Sequence, residues 1–169
     1  STGVFQYADT APDASVVLAN DGDISVLADA VATAAVTNAF ASAEATGVYQ
    51  DAQADGSGGS AAAADHTNTG TIAVTANALA NAPAGAVASA HAYGVVQSVG
   101  GASSLSLWLD NSGSISASAF ATAIASGNAA ANATGADLFA AGSAGLDVTN
   151  SSLISARATA VGNGNAAAI

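Results

Sequence analysis

Few residues of this chain have side chains that could perform chemistry, and they are scattered. The sequence has two histidines, His66 and His91, one strongly basic residue, Arg157, and no cysteine. Serines and aspartates are abundant, so a Ser, His and Asp combination could be named almost anywhere and has no diagnostic value. Sugar-cleaving enzymes of repeat folds gather Asp, Lys and Arg in one groove, which a single arginine cannot furnish. We therefore predict that the protein is not an enzyme.

Two short segments have some features of ligand loops. Asp21-Gly22-Asp23 matches part of a calcium loop, but the related motifs of the chain carry threonine or serine in place of its aspartates, and the full acidic spacing is missing. The segment 56–59 is rich in glycine but lacks the lysine of a phosphate-binding loop. We predict no cofactor and no dedicated metal site, and only weak, non-specific Ca²⁺ binding to an acidic surface.

Charge limits the partners of this protein. The chain has one Lys or Arg against twelve Asp and Glu, which gives a formal net charge of −11. Clustered basic residues are what hold a phosphate backbone or an anionic lipid surface, so nucleic acid and membrane surfaces are excluded as partners. The sequence also has no apolar run of about 18 residues, so no membrane insertion is predicted.

The size of the side chains constrains the fold. Of 169 residues, 49 are alanine, while Phe, Tyr and Trp together number eight. A core filled by methyl groups requires backbones that lie close together, because protein interiors are densely packed. The elements that could pack in this way are found in an internal repeat.

Four copies of one motif recur along the chain. Three copies read Asn-x-Gly-x-Ile and begin at Asn20, Asn68 and Asn111, and a degenerate fourth begins at Asn150. Their isoleucines are separated by 48, 43 and 39 residues. A period of this size is typical of a repeat architecture in which each unit packs on the next.

A second anchor runs in step with the first. It takes the form Thr2-Gly3-Val4, Thr46-Gly47-Val48, Tyr93-Gly94-Val95 and Thr134-Gly135-Ala136. Together the anchors define a single repeat array over residues 1–169, with repeats at 1–45, 46–92, 93–133 and 134–169. Length differences fall in the segments 54–60, 83–85 and 100–103, where we predict loops. The final residues stop where the next anchor would fall, so the array is either cut from a longer one or continued end to end as a fibre.

Apolar and polar residues alternate within each repeat. The column after the Asn-x-Gly turn begins with Ile24, Val26 and Ala28, and the later repeats follow the same parity. A second alternating run, which includes Ala41 and Ala43, leads into the Gly-Val anchor, and a short third run precedes the turn. Because a period of two is typical of strands with one buried face, each repeat is predicted to form two long strands and one short strand.

The same alternation assigns faces to the histidines and to several large apolar residues. His66 falls in the inward column beside Ala64, either as a hydrogen-bonded misfit or as the sign of a shifted register, whereas His91 falls outward. Four apolar side chains also fall outward, where they either tuck under neighbouring segments or form a lateral contact between protofilaments: Trp108, Phe120, Leu79 and Ile124.

Two other structures compete with stacked parallel strands. Residues 27–45 could form an amphipathic helix, because alanine is the best helix former, but the equivalent stretches contain Pro83 and Gly127. A hairpin at each Asn-x-Gly turn would suit those residue types. Recurrence of the same residues at the same positions favours parallel strands instead, with each alanine column meeting the next copy of itself.

These motifs resemble the passenger β-helices of bacterial autotransporters and related haemagglutinin-type surface proteins, whose repeats combine a Gly-Val strand, a short apolar strand and an Asn-Ser-Gly-Thr-Ile turn. Asn111-Ser112-Gly113-Ser114-Ile115 and Thr46-Gly47-Val48-Tyr49-Gln50 carry the resemblance, which extends over all four repeats. It implies an all-β, right-handed parallel β-solenoid exposed outside the cell. We predict about four long coils of 39–48 residues. Two shorter coils per repeat are the alternative, since the family's coils are about half as long and are filled with larger aliphatic residues.

The alanine columns predict a flattened coil. Facing sheets normally lie about 10 Å apart, but small side chains on both long strands allow a closer approach. At one corner, Asn20, Asn68, Asn111 and Asn150 would stack as an amide ladder, or would merely tolerate left-handed turn geometry. Such a stack has two open edges with unpaired backbone groups.

Architecture and charge together lead to a functional hypothesis. We predict a structural segment on a bacterial cell surface that forms or belongs to an extracellular fibre, adhesin stalk or matrix filament. Its partner would be a second copy of itself, stacked head to tail and also associating laterally. The alternative is a glycan- or ice-binding module with a flat Thr, Ser and Asn face, although one outward column is too mixed to favour it: Asp29, Asn77, Phe120 and Thr159.

Overall fold

The computed structural model describes residues 1–10, 12–55 and 59–169. Within these residues the chain is all-β: 82% of them lie in strands and none lies in a helix. The eleven strands of the described residues are β1 (Thr2–Thr10), β2 (Ala14–Asn20), β3 (Asp23–Thr33), β4 (Ala39–Ala54), β5 (Ala61–Asn68), β6 (Thr71–Gly100), β7 (Ser104–Asn111), β8 (Ser114–Ala140), β9 (Ala144–Asn150), β10 (Leu153–Gly162) and β11 (Ala166–Ala168).

The strands form two sheets in which every described pairing is parallel. The larger sheet has the order β1-β4-β6-β8-β10, with β3 also paired to β6 and β11 to β8, and the smaller sheet has the order β2-β5-β7-β9. The prediction of an all-β chain with parallel strands is therefore confirmed. The alternative of a helix over 27–45 is wrong, because the alanines of this segment gain more from burial and strand pairing than from helix propensity. The alternative of hairpins at the Asn-x-Gly turns is wrong, because the strands on either side of each turn do not pair with each other.

Register is set by the repeat. Ile24 pairs with Ile72, which pairs with Ile115, and Ile115 pairs with Ile154. Partners in the described strands are thus one full repeat apart, which excludes two shorter coils per repeat. A slip of one residue would turn every buried side chain outward, so the alternation itself holds this register.

The two long runs of the second repeat are joined more closely than the sequence predicts. The loop predicted at 83–85 is wrong, because β6 runs through it and shows only a register irregularity between Ala82 and Ala86. Pro83 lacks an N–H group for strand pairing, and a bulge is one of the places where a sheet accepts proline. The other two predicted loops begin where strands end, at Ala54 and Gly100, although residues 56–58 of the first lie outside the described residues.

The core consists mainly of methyl groups from the long strands. Alanines of the run before the Gly-Val anchor, such as Ala88 and Ala90, belong to one buried cluster with alanines of the run after the turn, such as Ala76 and Ala78. The backbone of β4 lies so close to the side chains of β6 that a Cβ on Gly47 would be 2.6 Å from the Cγ2 atom of Ile72. Small residues at these positions are therefore a condition of the packing.

Candidate functional site

The four asparagines of the repeat motif lie in one column at the ends of β2, β5, β7 and β9. The Nδ2 atoms of Asn20, Asn68 and Asn111 each donate to the Oδ1 atom of the asparagine in the following repeat, at 2.7 Å. Asn68 and Asn111 are fully buried, and Asn150 ends the series by donating to the Ser152 carbonyl at 2.9 Å. The column is a continuous amide ladder in which every bond runs in the same direction.

The turn after each asparagine is attached to the repeat before it. The backbone N–H groups of Ser112 and Gly113 both donate to the Asn68 carbonyl, at 2.9 and 3.0 Å. A Cβ on Gly113 would collide with the carbonyl oxygen of Gly70. Glycine is thus required at Gly113, because its turn stacks backbone against backbone on the turn before it. The degenerate fourth turn carries Ser152 at this position.

A second amide ladder lies inside the core, and the sequence reasoning missed it. Gln50 donates from Nε2 to the Oε1 atom of Gln6 at 2.8 Å, and Gln97 donates in the same way to Gln50 at 2.9 Å. The recurrence of glutamine three residues after each anchor glycine was the available signal. In the fourth repeat Leu138 takes this position. The Oε1 atom of Gln97 is consequently buried without a hydrogen-bond partner.

His66 lies in the inward column of the smaller sheet, between Leu18 and Leu109 of the adjacent repeats. It is 1% exposed, and neither ring nitrogen has a hydrogen-bond partner. Burial lowers the pKa of His66 to about 4. Both sequence interpretations are wrong, because the register continues unchanged through His66 and the ring makes no hydrogen bond. A neutral imidazole here replaces an aliphatic side chain.

The other residues singled out for chemistry do not come together. His91 lies half-buried with Nε2 2.9 Å from the Ser89 hydroxyl, and the Arg157 guanidinium lies 5.7 Å from the centre of the Phe120 ring. Among the described residues, no three His, Cys, Asp or Glu side chains are grouped as metal ligands. No helix capable of crossing a bilayer occurs in the same residues.

The four outward apolar residues are divided between two sheets. Trp108 is 50% exposed on β7 of the smaller sheet, whereas Leu79, Phe120 and Ile124 are on β6 and β8 of the larger sheet. Phe120 and Leu79 are half-buried, and Ile124 is exposed. A lateral contact can therefore use Trp108 or the other three, on separate surfaces.

The first and fourth repeats form the two edges of the sheets. In the described residues, β2 and β3 at one edge and β9 and β10 at the other each pair with a single strand. At the second edge the inward column reaches solvent: Leu146 is 59% exposed, although Leu107 at the same position of the preceding repeat is 2% exposed. This edge presents an apolar column beside an amide ladder.

Comparison with known proteins identifies no relative of this chain. No protein-family model matches it, nor does any curated protein or solved structure.

Proposed function

We propose that this chain is a segment of a bacterial extracellular β-solenoid, flattened and right-handed, that forms or belongs to a surface fibre, adhesin stalk or matrix filament. The observation that carries the proposal is the asparagine ladder, which continues through all four repeats with a 2.7 Å hydrogen bond at each step. A ladder of this kind stabilises a stack only when each layer supplies the same residue, which suits a structural protein.

Mechanical strength follows from the direction of the hydrogen bonds. Parallel pairing connects equivalent strands of neighbouring repeats along the stacking direction, and the two amide ladders add side-chain bonds parallel to it. Load along the stack would then be shared by many backbone bonds. Alanine packing adds stiffness, because interdigitated methyl groups leave little room for adjustment.

The chemistry of the two edges supports continuation by another repeat. Asn20 donates to Asn68 but accepts no side-chain hydrogen bond in the described residues, whereas Asn150 has a donor group at the opposite edge. A further repeat with asparagine at this position would extend the ladder head to tail. The exposed apolar column at Leu146 and Val148 would be covered by the same contact. The next repeat can belong to a longer chain or to a second copy.

The acidic surface supports a solvent-exposed location in which neighbouring filaments associate only weakly. With twelve acidic residues and one basic residue, neighbouring filaments repel each other at low ionic strength. Salt or divalent cations would screen this repulsion, so lateral association should depend on them.

Negative-stain electron microscopy of the purified 169-residue chain tests self-assembly. We expect unbranched filaments whose width does not vary along their length. Leu146→Lys should abolish them, because it places a charge in the stacked apolar column. Thr149→Lys is the matched control, since Thr149 is exposed on the outward parity of the same strand, and it should leave the filaments unchanged. Discrete monomers of the unaltered chain would refute assembly by stacking.

Location is tested separately. Antibodies raised against the purified chain should label intact cells of the source organism. Labelling that requires permeabilised cells would contradict an extracellular role without bearing on assembly.

A further inference from the structure

An open groove of about 690 Å³ lies on the larger sheet, where the two long runs of each repeat are connected. Three outward side chains in one register column, Phe40, Val87 and Asn128, contribute to its lining. Asn38 and Asn163, from connections in the first and fourth repeats, also line it. The volume is within the range of about 300–1,000 Å³ found for small-ligand sites.

The groove exists because these connections differ in length. β6 has three residues between Ala82 and Ala86, whereas the paired positions of β8, 125 and 127, are separated by one residue. β8 therefore takes a shorter path than β6 here. The fourth repeat takes a shorter path still, because Gly162 and Ala166 pair with Ala123 and Ala129. Gly127 belongs to the lining, and a Cβ at this position would lie 2.7 Å from the carbonyl oxygen of Ala86.

The lining is uncharged although the chain is strongly acidic. None of the described lining residues is ionisable, while the whole chain has a net charge of −11. A metal cation would lack carboxylate ligands here, and an anion would lack a basic partner. The composition of the groove thus suits a neutral ligand.

The polar groups of the groove are available to a ligand. The side chains of Asn38 and Asn163 make no hydrogen bond within the described part of the chain. Asn128 accepts from the backbone N–H of Asn165 at 2.9 Å through Oδ1, and this bond holds the amide with its Nδ2 group unused by the described residues. Phe40 is 68% exposed on a protein with few aromatic residues. One exposed ring therefore lies beside three amides that can donate and accept.

We propose that this groove binds a neutral glycan. The Phe40 ring stacks against the apolar C–H face of a pyranose, and the amides of Asn38, Asn128 and Asn163 exchange hydrogen bonds with its hydroxyl groups. This site goes beyond the structural role proposed above and does not depend on assembly, because it lies on the outer surface of the sheet.

NMR titration with maltotriose, cellotriose and N-acetylated chitotriose tests the proposal. The isotopically labelled chain carries Leu146→Lys, which prevents stacking and lies on the smaller sheet, away from the groove. At least one of these neutral sugars should give saturable shifts at the amides of Phe40, Val87 and Asn128. If none of the three shifts these amides, the proposal is wrong.

Variants at two phenylalanines distinguish binding in the groove from non-specific binding to exposed aromatic rings. Phe40→Ala should weaken binding of the active sugar at least tenfold, and Phe40→Trp should retain it. Phe139→Ala is the matched control, because Phe139 is 60% exposed on the other end of β8. An equal loss in Phe139→Ala, or no loss in Phe40→Ala, would overturn the proposal. Should Phe40→Ala fold poorly, Asn163→Ala must show weaker binding, and unchanged binding would overturn the proposal.

Discussion

The asparagine and glutamine columns are built alike but end differently. Each asparagine has an asparagine neighbour in the next repeat, so the ladder is continuous from Asn20 to Asn150. The glutamine ladder stops at Gln97, because the fourth repeat supplies Leu138, and one buried oxygen is left without a donor. His66 shows the same defect within a column of leucines.

The difference shows what repetition requires of buried polar groups. A stacked polar side chain is satisfied when its neighbours above and below are of the same kind, since each amide then both donates and accepts. A single change in a column removes that partner and leaves a desolvated polar atom, which costs about 1–3 kcal/mol. The corner asparagines are therefore under a stricter constraint than any single alanine of the core.

Breaking the asparagine ladder at its buried centre should have the largest effect. Asn68→Leu removes the bonds to Asn20 and Asn111 and leaves the Oδ1 atom of Asn111 buried without its donor. We expect a loss of about 4 kcal/mol in the free energy of unfolding, measured by urea denaturation. Asn150→Leu, at the exposed end of the same ladder, should cost about 1 kcal/mol, because the Nδ2 atom of Asn111 loses its Asn150 acceptor but keeps the Leu153 carbonyl at 3.4 Å. Equal losses in the two variants would mean that burial does not strengthen the centre of the ladder, and no loss in Asn68→Leu would mean that the ladder contributes no stability.

Acid should expose the defect at His66. Its pKa is about 4 when folded and 6.5 when unfolded, so between these values the unfolded chain binds a proton that the folded chain does not. Above pH 6.5 the histidine is neutral in both states and does not lower the free energy of unfolding. As the pH falls from 6.5 towards 4, the free energy of unfolding decreases by about 3 kcal/mol in total. His66→Leu, which matches Leu18 and Leu109, should remove this part of the pH dependence. Denaturation of both proteins at several pH values measures the difference, and parallel curves would contradict the assignment to His66.

Extending the glutamine ladder should have a smaller effect. Leu138→Gln would give the Oε1 atom of Gln97 a donor and so repair the buried defect. We expect a gain of about 1 kcal/mol in thermal or urea unfolding, because the half-buried leucine also gives up some apolar contact. Leu138→Ala removes the same contact without supplying an amide and should be destabilising. If the glutamine variant is no more stable than the alanine variant, the orphaned oxygen is not costly.

The outward columns should matter least to the stability of the chain. Trp108→Ser replaces a half-exposed ring on the smaller sheet, and we expect a change below about 0.5 kcal/mol in unfolding. If Trp108 forms the predicted lateral contact, the variant should lose the association that salt or Ca²⁺ promotes, as followed by sedimentation velocity. Unchanged association would assign the contact to the larger sheet, where Leu79, Phe120 and Ile124 lie.

Sequence reasoning succeeded where repeats could be aligned with each other. The turn asparagines and the alanine columns were found because equivalent positions carry the same residue in several repeats. It failed at His66 and at the end of the glutamine column, where one repeat differs from its neighbours. Those positions require knowledge of which side chain lies above and below, which only the register shows. The predicted lateral residues were chosen by parity alone, so their division between two sheets could not be foreseen.

The sequence by itself determined that the chain is all-β with one repeat paired to the next, because a period of two and repeated anchors permit a single register that buries every alanine column. The tertiary structure decided the rest. It placed the long strands close enough to exclude a Cβ at Gly47, carried β6 through Pro83, and opened a groove where unequal connections meet. These features depend on distances between residues one repeat apart, and alternation along the chain contains no information about such distances.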